Sequence, residues 1–126
     1  MKVAHIFSEL SFDTRIKVGS IIVRSGQVLS QGWNGMPAGM DNMTRNSFQE
    51  TKLEVIHSEA NALMKLARST ESGNGATMFI THSPCLDCAK GMHQAGIKEV
   101  YYEQEYRDDS GIKFLTKSGI QLQLLS

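Results

Sequence analysis

Two short motifs place the strongest constraint on how this chain folds, because their side chains have to meet although they lie far apart in the sequence. The first is His57-Ser58-Glu59-Ala60, and the second is Pro84-Cys85-Leu86-Asp87-Cys88, which holds the only two cysteines. One imidazole and two thiolates make three protein ligands for zinc and leave the fourth tetrahedral position for water, as in catalytic sites. A neighbouring carboxylate, Glu59, can then carry protons in a hydrolytic reaction.

The spacing within each motif predicts where it lies on a helix. Residues two apart point to opposite sides of a helix, so His57 and Glu59 share a site only in a first turn. Cys85 and Cys88, three apart, lie on one helix face. Both motifs are therefore predicted at helix N-termini, where the positive end of the helix dipole favours the thiolates that zinc requires.

Two other interpretations of the cysteines explain less of the sequence. A redox pair is expected within a thioredoxin-like context, and it leaves His57 and Glu59 without a role. A structural zinc site that only clips two helices together usually has four Cys or His ligands, and it also leaves Glu59 unexplained.

The first half of the chain shows three predicted elements and a long loop. Val3, Ile6, Phe7 and Leu10 have the three- and four-residue spacing of an amphipathic helix over residues 2–10. Residues 18–24 and 27–33 are predicted as a β-hairpin. Residues 34–52 have no usable periodicity, and loops this long are usually functional or mobile.

The second half alternates between helices and strands. A helix is predicted over 57–68, with a buried stripe formed by Ala60, Leu63, Met64 and Ala67. The remaining predictions are strands at 76–81, 98–102 and 120–124 and helices at 84–94 and 109–117. This alternation predicts an α/β domain of three layers, with a mixed central sheet of about five strands and helices on both faces.

Length and charge limit the classes of function. A chain of 126 residues is expected to form one domain, over 1–126. Its 13 basic and 13 acidic side chains balance, which disfavours a nucleic-acid binder and favours a small substrate. Neither a membrane-spanning apolar run nor a signal-peptide pattern is present, so we expect a cytoplasmic protein without a membrane partner.

Four stretches of the sequence carry a family resemblance. They are Gly32-Trp33-Asn34-Gly35-Met36-Pro37-Ala38-Gly39, His57-Ser58-Glu59-Ala60-Asn61-Ala62-Leu63, Pro84-Cys85-Leu86-Asp87-Cys88-Ala89-Lys90 and Gly96-Ile97-Lys98-Glu99-Val100. His-x-Glu followed by Pro-Cys-x-x-Cys is the signature of zinc-dependent nucleobase deaminases. The chain resembles the cytidine/deoxycytidylate deaminase superfamily, and within it the deoxycytidylate deaminases.

The resemblance implies a cytidine-deaminase-like fold and hydrolysis of dCMP to dUMP and ammonia, which supplies dUMP for thymidylate synthesis. It implies one catalytic Zn²⁺ per chain on His57, Cys85 and Cys88, with Glu59 as the catalytic proton carrier. Asn34 is expected to bond the sugar, and Ser83 and the Ala60 amide are expected to read the pyrimidine. The phosphate candidates are cationic or hydroxyl-bearing side chains, with arginine favoured for its bidentate geometry: Arg15, Lys17, Tyr106 and Arg107.

The resemblance also implies a homo-oligomer, expected to be a hexamer, with dCTP as activator and dTTP as inhibitor. Mg²⁺ is expected to accompany the triphosphate effector. The candidate effector residues lie mainly in the loop after the second strand: Gly35, Gly39, Asn42, Lys52 and Arg68.

Three other functions remain open from the sequence. A tRNA adenosine deaminase shares both zinc motifs but needs a basic surface to hold RNA, which the balanced charge disfavours. Free-cytidine deaminases usually carry Cys where His57 stands. A catalytically silent zinc-binding module is the non-enzymatic alternative.

Overall fold

The computed structural model describes residues 1–125, and it contains each helix and strand predicted from the sequence. The elements in chain order are α1 (Lys2–Ser8), β1 (Gly19–Arg24), β2 (Gln27–Trp33), α2 (Ser58–Ala67), β3 (Thr77–His82), α3 (Leu86–Gln94), β4 (Glu99–Gln104), α4 (Ser110–Lys117) and β5 (Gln121–Leu124). Their ends differ from the predicted ones by no more than two residues. The loop predicted after β2 extends to the start of α2.

The five strands form one mixed sheet in the order β2-β1-β3-β4-β5. Strand β1 runs antiparallel to both of its neighbours, whereas β3, β4 and β5 are parallel to one another. The β1–β2 hairpin turns at Ser25 and Gly26, both with positive φ, as the tightest hairpin turns require.

Two glycines show that helices cover both faces of the sheet. A Cβ on Gly19 would lie 1.9 Å from the carbonyl oxygen of Ala4, so α1 packs directly on this residue of β1. A Cβ on Gly32 would lie 2.3 Å from the carbonyl oxygen of Ser58, so α2 packs on β2. Gly32 pairs with Ser20, so the two residues share one face of the sheet. Gly19 precedes Ser20 in β1 and therefore faces the other side, because successive strand residues face opposite sides. Helices α1 and α2 thus pack on opposite faces. The predicted three-layer α/β architecture is confirmed.

The main core lies between the sheet and helices α2, α3 and α4. The fully buried strand residues Ile22, Met78 and Ile80 contribute from the sheet. The helices contribute mostly small or flexible side chains to the same cluster: Ala62, Leu66, Ala89, Met92 and Leu115. This packing fixes the N-termini of α2 and α3 against the same side of the sheet.

The predicted helix α1 is present, but the apolar residues of its amphipathic pattern are not its buried residues. The buried residues of α1 are Ala4 and Ser8, whereas Ile6 is 61% exposed and Leu10 is 50% exposed. The close approach of α1 to Gly19 leaves room only for small side chains. Val3 and Ile6 are therefore exposed, while Phe7 is half-buried and stacks on Trp33 with a centroid distance of 6.1 Å.

The predicted stripe of α2 is wrong. Ser58, Glu59, Ala62 and Leu66 are the buried residues, and Met64 is 57% exposed. The four predicted residues instead line an apolar groove between α2 and α3. No helix among residues 1–125 is long and apolar enough to cross a membrane.

Candidate metal centre and active site

His57 lies immediately before the first turn of α2. Its backbone is extended, with φ −67° and ψ 154°, and its carbonyl oxygen accepts the first helical hydrogen bond, from the N–H of Asn61. The preceding residue, Ile56, forms a short antiparallel bridge with Gly35. His57 and Glu59 therefore sit at the helix start, where side chains two residues apart can face one site.

Cys85 occupies the corresponding position before α3. Its backbone is also extended. Its sulfur lies 3.5 Å from the backbone nitrogen of Cys88 and accepts a hydrogen bond from that N–H, which caps the start of the helix. The segment leading to Cys85 is fixed from both sides. Ser83 donates its N–H to the carbonyl oxygen of Gln104 at 2.7 Å. Gly111 of α4 packs so closely that a Cβ there would lie 2.1 Å from the carbonyl oxygen of Pro84.

The three predicted zinc ligands come together at these two helix starts. The Nδ1 atom of His57 lies 3.5 Å from the sulfur of Cys85 and 3.5 Å from the sulfur of Cys88. Tetrahedral zinc with ordinary Zn–N and Zn–S bonds separates such ligand atoms by about 3.6 Å. The donor set and its spacing therefore fit a zinc ion.

The three candidate ligands shift one another's pKa values. The S–H of Cys88 and then the imidazole of His57 lower the pKa of Cys85 to about 4, so a thiolate forms readily. The same pairing with Cys85 raises the pKa of Cys88, and hydrogen bonding to Cys85 raises the pKa of His57. Zinc binding would displace the protons of Cys88 and His57.

Glu59 is the buried carboxyl group of this site. It is 4% exposed and lines the same cavity as His57 and Cys85. Burial raises the pKa of Glu59 to about 7, whereas a cation between the three ligands would act in the opposite direction. The arrangement combines a metal-ligand set with a proton-accepting group.

The cavity at this site has a volume of about 170 Å³. Two of the predicted substrate residues, Asn34 and Tyr106, belong to its lining. Asn34 Oδ1 accepts the N–H of Val18 and Asn34 Nδ2 donates to the carbonyl oxygen of Ile16, both at 2.9 Å. These bonds hold the amide in place and leave its second N–H for a ligand.

Tyr106 also lines the cavity. Its ring stacks on His82 with a centroid distance of 5.4 Å, and its backbone N–H donates to the hydroxyl of Ser83 at 2.9 Å. Ser83 itself is buried and lies outside the cavity lining. Ala60 is in the first turn of α2, and its side chain lines the groove toward α3 instead.

The three cationic residues predicted for the phosphate do not line the cavity. Arg15, Lys17 and Arg107 are exposed and lie outside the lining. The lining contains Arg45 and Asp13, which sequence reasoning did not select. Arg45 lies in a loop without periodicity, so the sequence carries no signal that distinguishes it from the exposed cations.

Four of the five predicted effector residues lie in the loop that begins next to Asn34. Gly35 bridges Ile56, Gly39 has φ 83°, Asn42 is exposed, and Lys52 Nζ lies 3.8 Å from a carboxylate oxygen of Asp41. Arg68 caps the C-terminus of α2, the end opposite His57. The structure therefore does not bring Arg68 together with the other four.

Comparison with protein families gives a match over most of the chain. The family model for the cytidine and deoxycytidylate deaminase zinc-binding region matches residues 1–104. The matched range includes His57, Glu59, Cys85 and Cys88.

Individual relatives agree with this family. The solved dCMP deaminase of cyanophage S-TIM5, in complex with dCMP and dUMP, is 45% identical, with a TM-score of 0.96 over 98% of this chain and 92% of that chain. Human deoxycytidylate deaminase is 36% identical over 87% of this chain and 65% of its own length. ComE operon protein 2 of Bacillus subtilis is 33% identical over 85% of this chain and 58% of its own length. The chain thus spans less than two thirds of these two curated relatives.

Proposed function

This chain belongs to the cytidine and deoxycytidylate deaminase family, and we propose that it hydrolyses dCMP to dUMP and ammonia with one zinc ion. The observation that carries the proposal is the convergence of His57, Cys85 and Cys88 beside the buried carboxyl group of Glu59 in one cavity. We propose that residues 1–126 act as one deaminase domain.

The chemistry divides between the metal and the protein. Zinc held by His57, Cys85 and Cys88 would make water acidic enough to act as a nucleophile near neutral pH. Glu59 would accept one proton of the attacking water and donate it to the pyrimidine ring nitrogen while the water oxygen bonds to the ring carbon that carries the amino group. Glu59 would then transfer the remaining proton of that oxygen to the amino group, so that the carbon–nitrogen bond breaks, ammonia leaves and the ring carbon keeps a carbonyl oxygen.

The walls of the cavity suggest how the substrate is held. The free N–H of Asn34 can donate to a sugar hydroxyl, and the side chain of Tyr106 forms a further part of the cavity wall. The first-turn N–H groups of α2, including that of Ala60, have no partner within the helix and can donate to the pyrimidine edge. Ser83 supports this wall through its bond to Tyr106. The dCMP and dUMP complex of the cyanophage relative supports a nucleotide monophosphate as substrate.

A substrate panel tests the proposed reaction. The zinc-loaded protein is assayed with deoxycytidine, dCMP, dCTP and tRNA, and both the deaminated product and ammonia are quantified. We expect the highest kcat/KM for dCMP and equal amounts of product and ammonia. Higher kcat/KM for deoxycytidine, or activity only on adenosine in tRNA, would contradict the proposal.

We further propose a hexamer that dCTP with Mg²⁺ activates and dTTP inhibits, as the family resemblance implies, and that supplies dUMP for thymidylate synthesis. The loop after β2 supports this regulation, because it carries Gly35, Gly39, Asn42 and Lys52 and also contributes Thr51 and Val55 to the cavity lining. An effector bound to this loop could therefore alter the site. Arg68 is not included, because it lies at the far end of α2.

Steady-state kinetics test the regulation directly. We expect a lower apparent KM for dCMP with dCTP and Mg²⁺ and a higher one with dTTP, and light scattering should give the mass of a hexamer. Kinetics that neither triphosphate changes would contradict the proposed regulation without affecting the proposed reaction.

A further inference from the structure

The cavity that holds Glu59 contains one arginine or lysine side chain among residues 1–125. This residue is Arg45, which lies in the loop between β2 and α2. Its side chain is 12% exposed, whereas Arg15, Lys17 and Arg107 are exposed and lie outside the lining. A buried cation in a cavity is costly, because its hydration is lost. The position of Arg45 in this cavity therefore points to a specific interaction that offsets the lost hydration.

Asp13 holds the guanidinium group of Arg45 in a fixed position. The Nε and Nη2 atoms of Arg45 lie 3.2 and 3.1 Å from one carboxylate oxygen of Asp13. Nη1 donates to the carbonyl oxygen of Gln49 at 3.0 Å. A guanidinium has five N–H donors, so these three bonds leave two for a ligand.

Asp13 is itself immobilised. It is 3% exposed, and one carboxylate oxygen accepts the backbone N–H groups of Arg15 and Ile16 at 2.8 and 2.9 Å. Its other oxygen accepts the hydroxyl of Thr44 at 3.1 Å. The pair therefore joins the segment before β1 to the loop before α2, and both segments line the cavity. A buried ion pair gives little net stability, which favours a role in recognition.

We propose that Arg45 binds the phosphate group of the nucleotide substrate and that Asp13 is the positioning residue that aims it. The inference rests on the proposed function and names the group that distinguishes a nucleotide from a nucleoside. The planar fork of arginine matches phosphate oxygens, and holding the fork in advance reduces the entropy lost on binding.

Paired substrates separate recognition of phosphate from a general structural role. The kcat/KM values for dCMP and deoxycytidine are measured for the wild type, Arg45→Gln, Arg45→Lys and Asp13→Asn. The matched control is Arg24→Gln, because Arg24 forms a 3.1 Å ion pair with Glu71 and lies outside the cavity lining. Zinc content and melting temperature are determined for every variant.

Arg45→Gln is expected to lower kcat/KM for dCMP by roughly 10- to 100-fold, the effect of losing hydrogen bonds to a charged group. Its kcat/KM for deoxycytidine should stay within about threefold of wild type, which is under 1 kcal/mol. Arg45→Lys should recover part of the dCMP activity, and Asp13→Asn should raise KM for dCMP more than it lowers kcat. Arg24→Gln should match the wild type on both substrates.

Binding of dUMP gives a second measurement that does not depend on turnover. Calorimetry on the zinc-loaded proteins should show a Kd for dUMP raised at least about 10-fold in Arg45→Gln and unchanged in Arg24→Gln. Equal losses on dCMP and deoxycytidine, or an unchanged Kd for dUMP, would overturn the inference. A wild type that deaminates no cytosine substrate would instead contradict the proposed function, so the two failures are distinguishable.

Discussion

The hydroxyl groups of Ser20 and Ser58 lie 2.7 Å apart in the buried contact between β1 and α2. The hydroxyl of Ser58 also lies 3.1 Å from the carbonyl oxygen of Gly32 on β2. Ser58 stands between His57 and Glu59 in the chain, so these contacts fix the start of α2 where the proposed metal ligand and proton carrier are located.

Replacing Ser58 with Ala should lower the free energy of unfolding by about 1–3 kcal/mol. The substitution removes a hydrogen bond from the buried hydroxyl of Ser20 and from the carbonyl oxygen of Gly32. The double variant Ser20→Ala/Ser58→Ala removes both hydroxyls, so its cost should be smaller than the sum of the two single costs. Urea denaturation of the three variants measures this difference. Strictly additive costs would show that the two hydroxyls act independently.

Substitution of Gly111 should weaken zinc binding, although Gly111 is not itself a candidate ligand. A Cβ at this position of α4 collides with the carbonyl oxygens of Pro84 and Cys85. Gly111→Ala should therefore displace the start of α3, weaken zinc binding and cost about 1–3 kcal/mol of stability. A competition titration against a chromophoric chelator measures the zinc affinity, and urea denaturation measures the stability.

Gly91→Ala is the matched control, because Gly91 is also helical and a Cβ there lies 3.6 Å from Leu63 Cδ1, an ordinary contact. This variant should be as stable as the wild type or more stable by up to about 1 kcal/mol. Equal zinc affinities for Gly111→Ala and Gly91→Ala would contradict the proposed coupling.

The contribution of Asp13 to stability should depend on pH. Burial alone would raise the pKa of Asp13, but the backbone N–H groups of Ile16 and Arg15, with Arg45 and Thr44, lower it below 3.8. The folded state therefore binds the proton less tightly than the unfolded state. The stabilisation is present above the unfolded pKa of about 3.9 and is lost as pH falls through the lower folded pKa.

The difference in unfolding free energy between wild type and Asp13→Asn should thus be largest at neutral pH and shrink below about pH 4. Urea denaturation across this range measures it. The exposed Asp41→Asn variant serves as control and should stay close to wild type, because exposed ion pairs contribute little. A difference that does not change with pH would contradict the assignment.

Removal of zinc should destabilise the fold, because an ion held by His57, Cys85 and Cys88 would link the starts of α2 and α3. Binding to the folded state alone contributes about 2.7 kcal/mol when free zinc is 100-fold above Kd. We expect a strong chelator to lower the melting temperature and added Zn²⁺ to restore it, measured by calorimetry. An identical melting temperature with and without chelator would argue against the zinc site.

The element boundaries were predictable because local chemistry determines them. Gly96 and Gly119 follow α3 and α4 with φ 89° and 83°, the conformation in which glycine ends helices. The candidate ligand set was predictable because Cys85 and Cys88 are the only cysteines. The helix ends depend on residue type and short spacing, whereas the ligand set depends on two short motifs that the fold brings together.

The inward faces of α1 and α2 were not predictable from hydrophobic spacing. The periodic pattern selects the large apolar side chains, but Gly19 and Gly32 let the two helices approach so closely that Ala4 and Ser58 face the sheet. The cation of the cavity was missed for a related reason. Arg45 reaches the site through long-range contacts with Asp13, which leave no periodic trace in the sequence.

Zinc-dependent deamination with Glu59 as proton carrier is tested most directly by ammonia release from dCMP, measured for wild type and Glu59→Gln with zinc content determined on the same samples. We predict one zinc per chain in both proteins, turnover in the wild type and a loss of at least about 1,000-fold in the variant, in line with the loss of a proton carrier. A wild type that deaminates dCMP without zinc, or a Glu59→Gln variant with wild-type turnover, would contradict zinc-dependent deamination through Glu59.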